Sequence, residues 1–349
     1  MTEIVRCSLS EIVEDLAKLE TDCIGLCIDQ KIEELYPNFV QSLESKLSAK
    51  KKSVYRYSYK AEEENKSIQA FTSAVDFFIS SGMHRKGHLV AIGGGITSDL
   101  AGFVASSLLR GVNWSVVPTT LLSMIDAAIG GKVGVNSQYG KNLIGSFHLP
   151  EKIYISTPFL ETLDPLDLMS GKGELLKYAF LSQDIEQMIG NEKNFEEIIF
   201  ACAQFKNDLV EKDFKETNLR MVLNLGHTFG HALEKVCQIP HGIAVFWGMY
   251  LKFELFSKGQ EVEKLKNFAR KIKFKVDDEF PWQNFSQKEK DDFYNYLARD
   301  KKKISASEIK IILPEEDVEQ GRANGRVKIK SYPLKELKNR FEKIYEKYN

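Results

Sequence analysis

The first 160 or so residues alternate short apolar runs with longer helical periods. The run "CIGLCID" from Cys23 is continuously apolar, as a strand buried on both faces would be. "SVYRYSY" alternates and predicts a second strand. "NKSIQAFTSAVDFFISSGM" then spaces its apolar residues as a helix does. "HLVAIGGG" reads as a further buried strand running into three glycines. "SDLAGFVASSLL" continues as a helix with Ser98 as its expected N-cap. "WSVVPTTLL" is another strand, broken at Pro118. Strands alternating with helices predict a parallel sheet in an α/β domain.

Beyond Pro158 the pattern becomes helical. The periods are "GKGELLKYAFL", "FEEIIFACAQFKNDLVEKD", "RMVLNLGHTFGHALEKV", "HGIAVFWGMYLKFELF" and the tail "PLKELKNRFEKIYEKY". "RDKKKISASEIKIILP" predicts a turn and a short strand. There is no internal repeat and no low-complexity segment. A chain of 349 residues exceeds what one compact core holds. The expected layout is an α/β domain with a parallel sheet over residues 1–157 and a mostly α-helical domain over residues 158–349.

Composition removes several alternatives. Charged residues make up 28% of the chain, yet the formal net charge is −1. No whole-molecule field draws it to nucleic acid or to an acidic membrane, so neither is an expected partner. An anionic ligand would have to be met by local cations. The N-terminus mixes acids with apolar residues and lacks the layout of a secretory signal, and no apolar run reaches membrane-span length. The five cysteines are scattered and form no C-x-x-C pair, which fits a reduced, cytoplasmic protein.

Five features carry candidate chemistry. In "GGGITSDLAG", Gly93, Gly94 and Gly95 separate a strand from a helix. Such a turn lets backbone approach a phosphate at a helix N-terminus, or it is simply tight, and it is not the G-x-G-x-x-G fingerprint. "IDAAIGGKVGVN" and "GKNLIG" place Asp126, Lys132, Lys141 and Asn142 among glycines, as an anion-binding loop or a solvated turn would. In "GKGELLKY", Glu174 and Lys177 share a helix face, and a surface ion pair is the plainer reading. His227, His231 and His241 are three of the six histidines within fifteen residues. His227 and His231, at i and i+4, suit a metal, but H-x-x-x-H without the glutamate of H-E-x-x-H is weak, and spacing does not say which of the three would bind. Arg220, Asn224, His227 and His231 step by three or four residues and predict one polar stripe on one helix, with Lys206 and Glu216 earlier in the chain; the stripe is either a solvated face or one turned inward.

Taken in order, "GGGITSDLAGF", "RGVNWSVVPTTLLSMIDAAIGGKVGVN", "GKNLIGSF", "GELLKY", "LNLGHTFGHALE" and "HGIAV" resemble the motifs of the 3-dehydroquinate synthase family, most strongly over residues 90–250. The resemblance implies NAD and a divalent metal, normally zinc, with cobalt as the other candidate. It implies Glu174, His227 and His241 as metal ligands and moves His231 to the substrate phosphate and proton transfer. It implies Asp126, Lys177, Lys206 and Arg220 at the substrate's hydroxyls and carboxylate. Lys132, Asn142, Asn224 and one of Lys301 and Lys302 fall at its phosphate, and Glu216 matches a proton acceptor. For NAD the matching positions are Asp29, Glu63, Lys66, Gly93 to Gly95, Asp99, Thr119, Thr120, Lys141 and Thr162. Arg110 resembles an arginine that reaches a neighbouring subunit's site, which implies a homodimer.

The implied substrate is a small sugar acid phosphate, 3-deoxy-D-arabino-heptulosonate 7-phosphate. The implied reaction oxidises one hydroxyl transiently with NAD, eliminates phosphate, returns the hydride and closes a carbocycle by an aldol step. The chain departs from the family pattern at Ala127, Ala128 and Val133, where hydroxyls are usual, and at Lys31 and Ser98. Ile243 stands where the family has a glutamate, a residue that could support the metal site. The rival readings are a cyclase for sedoheptulose 7-phosphate or glucose 6-phosphate, a related polyol dehydrogenase, and a non-catalytic paralogue. Lys206 and Arg220 argue for a carboxylate-bearing substrate.

Overall fold

The computed structural model describes residues 1–217, 219–275, 279–299, 308–315 and 326–348. Strands β1 (Glu3–Arg6), β2 (Cys23–Asp29), β3 (Ser53–Tyr59), β4 (His88–Gly93), β5 (Asn113–Pro118), β6 (Lys132–Ser137), β7 (Gly140–Phe147) and β8 (Lys152–Ile155) are joined by helices α1 (Leu9–Ala17), α2 (Gln30–Leu35), α3 (Pro37–Ala49), α4 (Ile68–Ser80) and α5 (Gly95–Ser107). Helices α6 (Pro165–Leu181), α7 (Gln183–Gly190), α8 (Phe195–Lys212), α9 (His227–Cys237), α10 (His241–Leu255), α11 (Gly259–Lys271), α12 (Gln287–Arg299) and α13 (Leu334–Tyr348) follow, with strands β9 (Glu308–Pro314) and β10 (Val327–Pro333). Among the described residues, no helix is long and apolar enough to cross a membrane.

The chain divides into two compact units. The first is Met1–Asp164 with Ala203–Lys215, and the second is Pro165–Cys202 with Glu216–Asn349. The change of texture expected after residue 157 thus precedes the unit boundary, and the latter part of α8, with Lys206, belongs to the first unit.

The first unit is built on a six-stranded sheet in the order β1-β8-β5-β4-β2-β3. Every pairing in it is parallel. β2 is buried throughout but for its last residue and β4 throughout, as strands covered on both faces must be. From β2 the chain moves outward to β3 and then returns past β2 to β4. In such sheets the crevice at the carboxyl ends of the strands, where the order reverses, is the natural ligand position. The register aligns Asp29 with Tyr59 and Gly93 with Pro118 along that edge. The helix after β4 begins at Gly95 with Gly94 as its N-cap, not at Ser98. Ser98 lies inside it, its hydroxyl donating to the Gly95 carbonyl at 3.0 Å. The residues read as a glycine-rich loop form an antiparallel hairpin, β6 with β7.

The second unit is mostly helical, with an antiparallel β9–β10 pair. The expected continuous helix through "RMVLNLGHTFGHALEKV" is broken: Leu219–Asn224 forms a short 3-10 turn and α9 starts afresh at His227. The cause is Gly226, whose φ of +88° departs from any right-handed helix. It is held there by α10, for a Cβ on Gly226 would lie 2.7 Å from the Val245 carbonyl oxygen.

Candidate active site

The second unit gathers Glu174 from α6, His227 from the first turn of α9 and His241 from the first turn of α10. One ligand atom from each lies within 4.8 Å of the others. Nε2 of His227 is 3.8 Å from Oε1 of Glu174, and Nε2 of His241 is 3.9 Å from Oε2. Glu174 and Lys177 are both buried, and the Lys177 ammonium donates to Oε1 of Glu174. The pair read as a surface salt bridge is therefore interior.

Oε2 of Glu174 is buried and has no hydrogen-bond donor. An unmet carboxylate oxygen in the interior is costly unless a cation answers it. A zinc ion about 2.1 Å from each of three ligands would hold their atoms about 3.4 Å apart, slightly closer than here. One carboxylate and two imidazoles, with the unmet oxygen among them, fit a borderline divalent cation such as zinc or cobalt. The outer nitrogens are also held: Nδ1 of His227 faces the Leu225 carbonyl at 3.3 Å, and Nδ1 of His241 faces Oε2 of Glu234 at 2.9 Å.

The remaining polar residues of this unit cluster around α9. The His231 ring lies 5.2 Å from that of His227 and 5.8 Å from that of His241. Arg220 is buried on the 3-10 turn, and Asn224 closes that turn and donates to Glu216 at 3.2 Å. Glu216 holds a left-handed φ of +55°, uncommon for a residue with a Cβ and often found at functional positions.

In the first unit, several of the positions matched to NAD stand at or just past the carboxyl ends of β2, β4 and β5. Asp29 ends β2 and caps α2, accepting from the Lys31 amide at 3.2 Å, and burial pushes its carboxyl up. Gly93 ends β4 with no room for a side chain, since a Cβ would lie 2.3 Å from Oγ1 of Thr97. No side chain caps the α5 N-terminus at Gly94, and uncapped helix N-termini are where anions commonly bind. The Thr119 amide donates to the Gly93 carbonyl at 2.9 Å, and Thr120 is hydrogen-bonded to Ser123. Thr162 sits farther along, its hydroxyl 2.8 Å from that of Tyr36.

Three ion pairs complete this half. Buried Lys66 donates to Oδ2 of Asp99 at 2.9 Å. Burial nonetheless raises the Asp99 carboxyl to about 6, with Lys66 opposing the rise and Glu63 adding to it. Lys206 donates to the Asp126 carbonyl at 2.5 Å and to its carboxylate at 2.8 Å. Asp126 lies on a single π-helical turn, Ser123–Ala127, a form that recurs at functional sites. Lys132 opens β6 on its exposed side, and Lys141 reaches Oε1 of Glu63 at 3.7 Å. Arg110 is exposed with a φ of +69°, just after Leu109 at +51°. Lys301 and Lys302 lie outside the described residues.

Two residues escaped the motif reading. Asn136 donates to Oε1 of Glu63 at 2.7 Å and accepts from the Asn142 amide at 2.9 Å, tying the hairpin to the segment before α4. It is the last letter of "GGKVGVN", four residues after Lys132. Glu234 stands three residues after His231, so the spacing that singled out the histidines also reaches it.

Comparison with known proteins places this arrangement. A model of the 3-dehydroquinate synthase N-terminal domain matches residues 56–170, and one of its C-terminal domain matches residues 171–303. A 3-dehydroquinate synthase from Staphylococcus haemolyticus is 36% identical over 324 residues, covering 88% of this chain and 86% of the relative. Among solved structures, a 2-deoxy-scyllo-inosose synthase complexed with carbaglucose-6-phosphate, NAD+ and Co2+ superimposes with a TM-score of 0.78 at 22% identity, over 97% of this chain and 96% of the other. A 2-epi-5-epi-valiolone synthase from Streptomyces hygroscopicus with NAD+ and Zn2+ bound gives 0.78 at 22% identity, over 99% and 97%. These two likenesses speak for the shared fold. The paired domain models and a relative aligned over most of both chains go further: this chain belongs to the 3-dehydroquinate synthase family.

Proposed function

We propose that the chain is a 3-dehydroquinate synthase. It converts 3-deoxy-D-arabino-heptulosonate 7-phosphate to 3-dehydroquinate and inorganic phosphate, a step in making aromatic amino acids, and works with NAD and a divalent cation, zinc or cobalt, as a cytoplasmic homodimer. The observation that carries this reading, beside family membership, is the convergence of Glu174, His227 and His241 around a buried carboxylate oxygen that lacks a donor. NAD, when bound, supplies a hydride acceptor and donor, and the cation supplies Lewis-acid polarisation of substrate oxygens.

The chain's own residues then bind and orient. Arg220 receives the planar carboxylate through paired, charge-assisted hydrogen bonds. Lys177 meets hydroxyls beside the Glu174 carboxylate it already touches. In the first unit, Asp126 and Lys206 act as one hydrogen-bonded pair toward the hydroxyls. Lys132, Asn142, Asn224 and His231 take the phosphate, His231 moves a proton and Glu216 accepts one. The α5 N-terminus with Gly93 to Gly95 receives the nucleotide pyrophosphate, flanked by Asp29, Glu63, Lys66, Asp99, Thr119, Thr120, Lys141 and Thr162. The departures at Ala127, Ala128 and Val133 leave each of these groups in place.

The direct test is release of inorganic phosphate from the heptulosonate phosphate by purified protein with NAD and zinc or cobalt, with sedoheptulose 7-phosphate in parallel. Release from the first alone is expected, with no accumulation of NADH. Release from sedoheptulose 7-phosphate alone would move the chain to another cyclase specificity, and release from neither by metal-loaded, folded protein would refute catalysis.

A further inference from the structure

We infer that Glu234 is a positioning residue that fixes which nitrogen of His241 faces the metal, a role that rests on the metal reading above. α9 carries His227, His231 and Glu234 at steps of four and three, so all three share one face. α9 and α10 pack against each other, and α10 opens with His241 itself. That packing sets Oε2 of Glu234 2.9 Å from Nδ1 of His241, while Nε2 of the same ring looks toward Oε2 of Glu174 at 3.9 Å.

A neutral imidazole has one N–H and one lone pair. An ionised carboxylate can only accept, so Glu234 holds the proton on Nδ1 and leaves the Nε2 lone pair pointing at Glu174. A carboxylate behind a metal-binding histidine also raises its basicity and locks its ring. The two histidines are not served alike: Nδ1 of His227 faces a backbone carbonyl at 3.3 Å, whereas Nδ1 of His241 faces a carboxylate at 2.9 Å.

This answers the question raised by Ile243. The missing glutamate of the family pattern would have stood two residues past His241 on α10. His241 nevertheless has a carboxylate beside it, Glu234 of α9.

The test uses the full chain and three forms: wild type, E234Q and E234A. Zinc affinity is read by competition with a chelating indicator, and the site geometry by the visible absorption of the cobalt-loaded protein. E234Q keeps an acceptor oxygen of the same reach but loses the charge, and E234A loses both. Zinc affinity should fall by about 10-fold in E234Q and by up to about 100-fold in E234A. The cobalt spectrum should change in E234A and stay close to wild type in E234Q. Wild-type affinity and spectrum in E234A would overturn the inference. Should E234A fail to fold, E234Q decides alone, and unchanged affinity there refutes a role for the charge. Failure of the underlying metal reading looks different: wild type and an E174Q control would both bind zinc no better than the variants, and the inference would fall with it.

Discussion

Gly242 lies against the carbonyl of Ser170 so closely that a Cβ on the glycine would sit 1.7 Å from that oxygen. The Gly242 amide also donates to the Ser170 hydroxyl at 3.0 Å, and a Cβ on Gly173 would lie 2.1 Å from the Gly242 carbonyl oxygen. The contact is backbone to backbone, so it cannot be relieved by a side-chain rotation. It presses the start of α10 onto α6, and with it His241 onto Glu174.

Gly242→Ala should therefore push α6 and α10 apart. The expected cost in stability is about 1–3 kcal/mol, as for other overpacked interiors. Zinc affinity should fall by at least about 10-fold, because ligand atoms must stay in register to bind one ion. Urea unfolding and zinc titration measure the two effects. A variant that is destabilised yet binds zinc normally would show that the helix contact does not set the ligand spacing.

Asp99 predicts a pH effect in the first unit. Its folded pKa is raised to about 6 by burial, above the roughly 4 of an unfolded aspartate. Between those values the folded protein holds a proton that the unfolded chain has released. The contribution of this group to stability thus declines as pH rises from about 4 to about 6 and is level above that. Asp99→Asn removes the term. The stability of wild type relative to this variant should fall by about 2 kcal/mol across the window. Urea unfolding at several pH values reads the difference, and a flat difference would show that Lys66 holds Asp99 ionised throughout.

Arg220 predicts substrate discrimination. It is buried and carries the proposed carboxylate contact. Arg220→Ala should lower kcat/KM for the heptulosonate phosphate by at least about 100-fold, the scale of lost charge-assisted hydrogen bonds. Arg220→Lys should recover only part of this, since an ammonium lacks the planar fork. Zinc affinity serves as the control for folding and should stay near wild type. Undiminished turnover in the alanine variant would place the carboxylate elsewhere.

Much of the fold was legible along the chain, and for a clear reason. Strands such as Cys23–Asp29 and His88–Gly93 are covered on both faces, so they must be continuously apolar whatever packs on them. β1 and β8, four residues each, pass without such a signal. The hairpin Lys132–Phe147 reads as a loop in sequence because its glycines and lysines mask the strand alternation, and five consecutive positions of β7 are exposed.

The candidate site divides along the same line. Local spacing paired His227 with His231, since a helix can report only its own neighbours. The order of the motifs, through their resemblance to a known family, pointed to Glu174, His227 and His241, residues 67 positions apart from first to last. Residue identity alone determined which groups could ionise, accept a proton or grip a cation, and the period of the apolar positions determined where helices and strands would form. What only the tertiary structure decided is which of those groups meet: that Lys177 and Glu174 are interior, that Gly226 separates the turn carrying Arg220 and Asn224 from the helix carrying His227 and His231, and that Glu234 stands behind His241. These depend on the distance of approach between helices remote in sequence, which is set by packing, and no pattern within a single helix contains that distance.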